Sequence, residues 1–134
     1  PASPNFLAPG KRPYHTIIPG FITKDNEAVG PFGVMGAFMQ PQGHLQMIAN
    51  MVDFALNPQE ALDAPRWQWT EGKRVGLEQG VENHIIKELA AMGHEVYVDY
   101  DHSSYGRGQM ILRGEDGALM GATEPRADGY VAVY

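Results

Sequence analysis

The sequence predicts a layered domain of mixed α/β or α+β class, with an antiparallel hairpin at each end. Two segments rich in turn-forming residues, 24–27 and 114–117, each separate a pair of strand-like runs, which is typical of hairpins. Between them, segments 44–56 and 82–92 carry apolar residues at helical spacing. Strands at both ends of the chain with amphipathic helices between them favour a sandwich of sheet and helix layers.

The composition limits the kinds of protein to which this chain can belong. It has 134 residues, 10 Lys and Arg against 16 Asp and Glu, and no Cys. The length is that of one domain, and a hydrophobic content of 43% is too high for a disordered chain. A net charge of -6 without a basic patch argues against nucleic acid or an anionic membrane as a partner. Without Cys, neither a disulfide nor a thiolate metal site can form.

The first part of the chain predicts an extended lead-in followed by a hairpin. Residues 1–14 are punctuated by prolines and begin without Met, which predicts a piece of a longer protein. The run His15–Thr23 is apolar and β-branched, and Pro19-Gly20 within it indicates a sheet edge or a bulge. After the turn at 24–27, Ala28–Met35 can return as the second strand.

Two consecutive helices are predicted next. His44–Leu56 has one narrow polar stripe and apolar residues over most of its circumference, so we expect it to be largely buried. The second helix has a clear start, with Asn57 as N-cap, Pro58 at the first position and Glu60 at the third, as in a capping box. Pro65 should end that helix near residue 63.

The rest of the chain alternates strands and one helix. Short strands are predicted at Arg66–Thr70 and Val75–Gln79, and the helix Glu82–Met92 should end at Gly93 in a left-handed cap. Residues 96–100 alternate as a strand, 101–108 form a polar loop, and 130–134 predict a final strand. The pair formed by 109–113 and 118–122 completes the second hairpin.

Local motifs give little chemistry on their own. The sequence has no HExxH, GxSxG, P-loop or GxGxxG motif. The cluster Asp99–His102 contains metal-ligand types but too few of them to close a site. Ser103-Ser104 beside His102 favours loop hydrogen bonding over a nucleophile, since adjacent side chains rarely aim at each other. Pro1 has the chemistry of an N-terminal proline base, as in tautomerases, but it lies in the irregular lead-in.

Five segments in order resemble the C-terminal part of the small subunit of γ-glutamyltransferases, a family that includes glutathione hydrolases and relatives similar to cephalosporin acylases. Pro9–Pro13 resembles the family's "PGKRP", and Gly33–Phe38 lies where the family has its "GSPGG" turn. Gln46–Asp53 and Asn57–Arg66 match the helix pair that ends in "APR". Leu89–Val96 resembles "L…GH.V", and Gly121–Arg126 together with Gly129 match "GASDPR..G". Together they cover essentially the whole chain, so the resemblance implies that residues 1–134 are one C-terminal fragment of a small-subunit domain.

The resemblance implies a partial αββα sandwich of the N-terminal-nucleophile hydrolases, hence an α+β class. In this family a precursor cleaves itself, and the new N-terminal Thr attacks a γ-glutamyl or related acyl amide, with its own α-amine as base. A terminal amine with a pKa near 8 can be neutral at working pH and activate the hydroxyl. That Thr would lie upstream of Pro1, so the implied partners are the large subunit, the first part of the small subunit and a small substrate. No cofactor or metal is implied, and the isolated chain should be inactive and prone to self-association.

Two pairs of candidate site residues follow from the resemblance. Gly36 and Ala37 match the glycines whose backbone N–H groups form the family's oxyanion hole, although Ala37 is constrained if that position needs a positive φ. His15 and Thr16 match the Ser pair of the family's "PLSSM" segment, which contacts the substrate carboxylate. Thr16 keeps a hydroxyl, whereas His15 is larger and can carry charge. This departure favours the acylase-like branch or another acyl substrate over strict glutathione specificity, and a plain strand role for His15 stays open.

Other features of the chain have structural interpretations. Arg126, in the terminal motif, predicts a buried ion pair that fixes the end of the chain, with Asp128 or Asp63 as partner, and Arg66 predicts a similar one. Trp67 and Trp69 alternate on their strand and can line either a core or a cleft. The alternative to an enzyme fragment is a non-catalytic binding or scaffold module derived from the family.

Overall fold

A computed structural model describes residues 3–134, so the prediction for Pro1 lies outside the described residues. In chain order, the elements are β1 (Gly20–Lys24), β2 (Glu27–Met35), α1 (Met39–Val52), α2 (Pro58–Asp63), β3 (Trp67–Glu71), β4 (Arg74–Glu78), α3 (Asn83–Ala91), β5 (Glu95–Asp99), β6 (Arg107–Arg113) and β7 (Leu119–Thr123), with a short 3-10 turn at His102–Ser104. The strands form a four-stranded antiparallel sheet in the order β1-β2-β6-β7 and a three-stranded sheet in the order β3-β4-β5. The α+β class is therefore confirmed, and only β4 and β5 among the described strands pair in parallel.

The core lies between the four-stranded sheet and helices α1 and α2. Apolar side chains from β2, β6 and β7 meet side chains from both helices in one cluster, formed by Val34, Met47, Leu62, Met110, Leu112 and Ala122. Every second residue of β6 is buried, as expected for a strand with one face on the core. This packing holds the loop between β2 and α1 against a rigid support.

The first hairpin is present, but its first strand is shorter than predicted. Asp25 and Asn26 both have positive φ, 53° and 66°, as the two central residues of a type I′ turn require. β1 begins at Gly20, opposite Phe32, and residues 15–19 have no strand partner. The prediction of a strand from His15 was wrong because the side chain of a helix residue, and not a second strand, satisfies the backbone of that segment.

Helix α1 begins five residues before the predicted start and ends four residues before the predicted end. Pro41 fits inside it because it occupies the third helical position, where a backbone N–H has no intrahelical acceptor. Ala55, with a φ of 54°, turns the chain away and ends the helix. The expectation of a largely buried helix was also wrong, since Leu45 and Val52 are exposed whereas Gln46 is buried.

Two glutamines of α1 join this helix to the edge of β3. Gln46 accepts a hydrogen bond from the Trp67 N–H at 2.9 Å and donates one to the Trp67 carbonyl at 2.9 Å. One turn earlier, Gln42 does the same with Trp69 at 2.7 and 3.1 Å. Four residues of helix rise about 6.0 Å and two residues of strand about 6.6 Å, so the spacings match. The exposed edge of β3 is thus covered by side-chain amides.

The remaining short elements follow their local signals, except at the C-terminus. Asn57 and Glu60 form the predicted reciprocal capping box, and α2 ends at residue 63. Gly93 has a φ of 91°, as predicted for the cap of α3. Residues 130–134 are not a strand. Val131 instead lies against the face of Gly121, where a Cβ would approach it to 2.5 Å, so the tail packs on β7 and does not extend the sheet.

Part of the described surface is apolar. Phe38 is 90% exposed at the start of α1, and Leu45, Val52 and Phe54 are exposed along or just after this helix. The helices between residues 3 and 134 include none that is long and apolar enough to cross a membrane.

Candidate functional site

The turn that connects β2 to α1 contains the two predicted oxyanion-hole residues. Gly36 has a φ of 143° and Ala37 a φ of 51°, so both adopt conformations that L side chains disfavour. The Gly36 carbonyl accepts from the Met39 N–H at 2.9 Å, and the Ala37 carbonyl from the Gln40 N–H at 3.1 Å. Within residues 3–134, the N–H groups of Gly36 and Ala37 have no backbone or side-chain acceptor. Two free donors therefore lie at the positive end of the α1 dipole.

The position of this turn depends on a close backbone contact. A Cβ on Gly36 would lie 2.9 Å from the Gly106 Cα, so a side chain there would push the two backbone segments apart. Gly106 is itself confined, because its own Cβ would lie 2.7 Å from the Met35 carbonyl oxygen. The turn is thereby held against the loop that precedes β6.

The other two predicted residues, His15 and Thr16, lie in the exposed segment before β1. The Thr16 carbonyl accepts from Gln40 Nε2 at 2.7 Å, and Ile18 N–H donates to Gln40 Oε1 at 3.2 Å. Gln40 is only three residues beyond Ala37, so the structure brings the two predicted segments to the same end of α1. The described residues provide no hydrogen bond to the side chain of His15.

A pocket of about 260 Å³ lies between the 17–19 segment and the end of β2. Its walls include Ile18, Met35, His44 and Arg107. Met35 directly precedes the turn, and Ile18 is two residues from Thr16, so the pocket links the two predicted segments.

A buried ionic network joins Arg66, Glu78, Glu124 and Arg126. Arg66 Nη2 is 2.7 Å from Glu124 Oε2, and both side chains are almost fully buried. Arg66 Nη1 also donates to the carbonyl oxygens of Tyr105 and Gly106, at 2.9 and 3.1 Å. Glu124 Oε2 accepts a further bond from the Gly108 N–H at 2.6 Å. Arg66 therefore fixes the loop against which the Gly36 turn packs.

Arg126 completes the network from the C-terminal side. It pairs with Glu78 and with Glu124, and the Arg126 Nη1 to Glu124 Oε1 distance is 2.6 Å. Arg126 also donates to the carbonyls of Leu62 and Ala64 at 2.8 and 2.9 Å. The predicted buried ion pairs of both arginines are therefore present.

The prediction of Asp128 or Asp63 as the partner of these arginines was wrong. Asp63 and Asp128 form no ion pair within residues 3–134, and the carboxylates of Glu78 and Glu124 take their place. These two glutamates end or follow strands that are far apart in sequence, and the fold brings them together between the arginines.

The network shifts the pKa values of its members in different directions. Burial and the nearby Arg126 cation lower the pKa of Arg66. Burial also lowers the pKa of Arg126, but the hydrogen bonds and charges of Glu78 and Glu124 outweigh it and raise that pKa overall. Burial by itself raises the pKa of Glu78, yet hydrogen bonds from Arg126, the Arg66 N–H and His102 keep it below the usual range.

We expect Glu78 to make folding stability depend on acid pH. A carboxyl group with a depressed folded pKa stabilises the fold above its unfolded pKa, about 4.3 for Glu, and loses this contribution as the pH falls through the folded value. The difference in Tm between the wild type and Glu78→Gln should be constant above about pH 5 and shrink below about pH 4.3. A difference that stays unchanged down to pH 3 would contradict this account.

Two side chains of the polar loop before β6 make internal contacts. His102 Nδ1 lies 2.9 Å from Glu78 Oε1, and Asp101 Oδ1 accepts from the Ser103 N–H at 2.9 Å. Among residues 3–134, no group of three or more His, Cys, Asp or Glu side chains could hold a metal ion. Trp67 and Trp69 on β3 do not lie in the core, since they are 37% and 52% exposed.

Several residues that shape the site were missed by sequence reasoning. Gln40 and His44 contact the two predicted segments, and Glu78 and Glu124 pair with the arginines. The one available signal was the polar side chains at 40, 42 and 46, close to an otherwise apolar helix. Their long-range partners could not be inferred from the spacing.

The fold and the glycine turn define part of an N-terminal-nucleophile hydrolase. The chain belongs to the gamma-glutamyltranspeptidase family, whose profile matches residues 1–134. A cephalosporin acylase from Bacillus halodurans has a similar structure, with a TM-score of 0.87 and 57% identity over 96% of this chain and 24% of its own. A gamma-glutamyltranspeptidase from Pseudomonas nitroreducens complexed with L-DON gives a TM-score of 0.78 at 25% identity, covering 100% of this chain and 70% of its own.

Curated relatives support the same family. The glutathione hydrolase-like YwrD proenzyme of Bacillus subtilis is 36% identical over 93% of this chain and 25% of its own length. The oxamate amidohydrolase proenzyme of Klebsiella pneumoniae is 34% identical over 96% of this chain and 25% of its length. The chain thus spans about a quarter of the length of these relatives.

Proposed function

We propose that this chain is the C-terminal part of the nucleophile-bearing subunit of an acyl-transfer enzyme that cleaves or transfers γ-glutamyl or related acyl amides. The observation that carries the proposal is the turn at Gly36 and Ala37, with two unpaired N–H donors at the start of α1. Family membership and relatives named as glutathione hydrolase, oxamate amidohydrolase and acylase support this reaction class.

The proposed reaction uses these donors in both half-reactions. A Thr hydroxyl from outside the 134 residues attacks the amide carbonyl while its α-amine takes the proton. The negative charge that develops on the carbonyl oxygen is stabilised by the N–H groups of Gly36 and Ala37. The carbon–nitrogen bond breaks, and the amine leaves with the proton. Water or an acceptor amine then attacks the ester carbonyl and gives a proton to the α-amine, and a second oxyanion forms at the same donors. The ester carbon–oxygen bond breaks, and the Thr oxygen leaves with that proton.

His15 and Thr16 would contact the acyl group of the substrate. The hydroxyl of Thr16 can donate to a carboxylate, and an imidazolium at His15 can add a charge-assisted bond. A His at this position favours acyl groups other than the γ-glutamyl group of glutathione, and the 57% identity to a cephalosporin acylase supports the same branch.

The remaining parts of the enzyme would cover the apolar surface of this chain. Phe38, Leu45 and Phe54 expose most of their side chains along or next to α1, and exposed apolar surface of this kind marks protein contacts. We therefore propose that the large subunit and the first part of the small subunit pack on this surface, and that the isolated chain self-associates.

Two preparations test the proposed function: the 134-residue chain and the complete proenzyme that carries it. The substrates are a chromogenic γ-glutamyl anilide and its glutaryl analogue, which lacks only the α-amine. Of the two preparations, we expect only the complete proenzyme to turn over substrate. Light scattering should show oligomers of the isolated chain. Turnover by the 134 residues alone would contradict the proposal. Absence of turnover by the processed proenzyme would favour a non-catalytic module.

A further inference from the structure

The edge of β2 is open just before the Gly36 turn. β1 starts opposite Phe32, so residues 33–35 pair with β6 on one side and have no strand on the other. On that open side the Val34 N–H donates to Nε2 of His44, a residue of α1, at 3.0 Å. An imidazole thus replaces the missing strand two residues before the turn.

The tautomer of His44 follows from this bond. A ring nitrogen that accepts from a backbone N–H carries no proton, so the proton of the neutral ring is on Nδ1. The ring lies against Phe32, with centroids 4.9 Å apart and planes inclined by 52°, which fixes its orientation. Burial lowers the pKa of His44 and thereby favours the neutral form that this geometry needs.

Gln40 holds the second segment from the same face of α1, one turn before His44. Its amide accepts from the Ile18 N–H and donates to the Thr16 carbonyl. Gln40 is 8% exposed, and both of its bonds are partly buried. Residues i and i+4 of one helix therefore contact the two backbone segments that carry the candidate site residues.

We propose that Gln40 and His44 are positioning residues, which set the distance between the substrate-binding segment at 15–16 and the oxyanion turn at 36–37. This inference rests on the proposed function. Gln40 orients the segment that binds the acyl group, and its loss should weaken substrate binding. His44 fixes the strand end that aims the two N–H donors, and its loss should slow the chemical step.

The role of His44 makes the site sensitive to pH. Protonation would place an Nε2–H donor against the Val34 N–H donor and break the contact. The charged group that lines the same pocket is Arg107 on β6, and the side chains from β2 and from the 17–19 segment are apolar. Gln40 and Gln109 contribute neutral amides, and this pocket has no carboxylate within the described residues to favour imidazolium. Protonation of the Thr α-amine also lowers kcat in acid, so we expect His44 to add a second, steeper fall in kcat below the usual His pKa of about 6.5.

Two substitutions of His44 in the complete enzyme separate its role as hydrogen-bond acceptor for the Val34 N–H from its packing against Phe32. His44→Phe keeps the apolar contact with Phe32 and removes the acceptor. We expect kcat about 10- to 100-fold lower with little change in KM, since small displacements of catalytic groups cost up to about 100-fold. His44→Gln keeps an oxygen acceptor that does not titrate. It should retain most of the activity and lose this second fall while it keeps the acid limb of the α-amine, and it carries the test alone if the Phe variant does not fold.

Gln40→Met tests the other segment, with Gln46→Met as a matched control. Gln46 is equally buried on the same helix and makes the same double contact, but with Trp67 on β3. We expect KM to rise several-fold for Gln40→Met and to stay unchanged for Gln46→Met at equal losses of thermal stability.

The outcomes distinguish this inference from the proposed function. If the wild-type enzyme is inactive on every acyl anilide, the proposed function fails. If the wild type is active but the fall of kcat in acid is the same for the wild type and His44→Gln, or Gln40→Met and Gln46→Met change KM equally, the positioning roles are overturned and the function stands.

Discussion

Glu124→Gln should destabilise the chain by about 3–5 kcal/mol, the usual cost of removing one partner from a buried ion pair. Glu124 is 1% exposed and contacts both Arg66 and Arg126. The substitution keeps the shape of the side chain but leaves two buried guanidinium groups with the single carboxylate of Glu78. It also replaces one carboxylate oxygen with an amide donor, which faces N–H groups either of Gly108 and Arg66 or of Arg126. A loss of this size is a large part of the stability of a typical domain.

Urea unfolding of the 134-residue chain at low concentration measures this loss. Trp67 and Trp69 lie on β3 directly after Arg66 and report on the adjacent network by fluorescence. Glu115→Gln is the matched control, because Glu115 is exposed in the turn between β6 and β7 and forms no ion pair within residues 3–134. A loss below about 0.5 kcal/mol for Glu124→Gln, equal to a surface substitution, would show that the network does not hold the fold.

The parts of the fold that the sequence predicted are those encoded within a few residues. The capping box of Asn57 and Glu60, the left-handed Gly93 and the hairpin turn at Asp25-Asn26 each depend on neighbours in the chain. The turn at Gly36 and Ala37 belongs to the same group, although its role followed from resemblance to a family and not from its chemistry alone.

The parts that could not be predicted depend on partners far away in sequence. Residues 15–19 have strand-like composition, but Gln40 of α1 satisfies their backbone in place of a strand. Val131 packs on the face of β7, although its segment alternates like a strand. The partners of Arg126 were sought nearby at Asp128 and Asp63, whereas Glu78 lies 48 residues away in the sequence. Charge and hydropathy patterns report which groups need partners, and only the fold determines which ones they find.

Ala37→Pro should lower kcat of the complete enzyme by about 100- to 1,000-fold, the usual effect of losing one oxyanion donor. Proline has no N–H and its φ is fixed near -65°, whereas Ala37 adopts a φ of 51°. Both changes remove the donor from the site, and KM should change less than kcat. Rates measured with a chromogenic acyl anilide give both constants.

Two controls separate the lost donor from the strained backbone. Ala55 is also exposed and has a φ of 54° at the end of α1, so Ala55→Pro imposes the same backbone change away from the turn. It should cost stability but leave kcat within a few-fold of the wild type. Ala37→Gly keeps the N–H and relieves the left-handed strain of about 1 kcal/mol, so it should stay active and become more stable. Equal losses of kcat for the two proline variants would place the oxyanion donors elsewhere, because the two substitutions impose the same backbone change and differ in whether they remove an N–H group of the turn before α1.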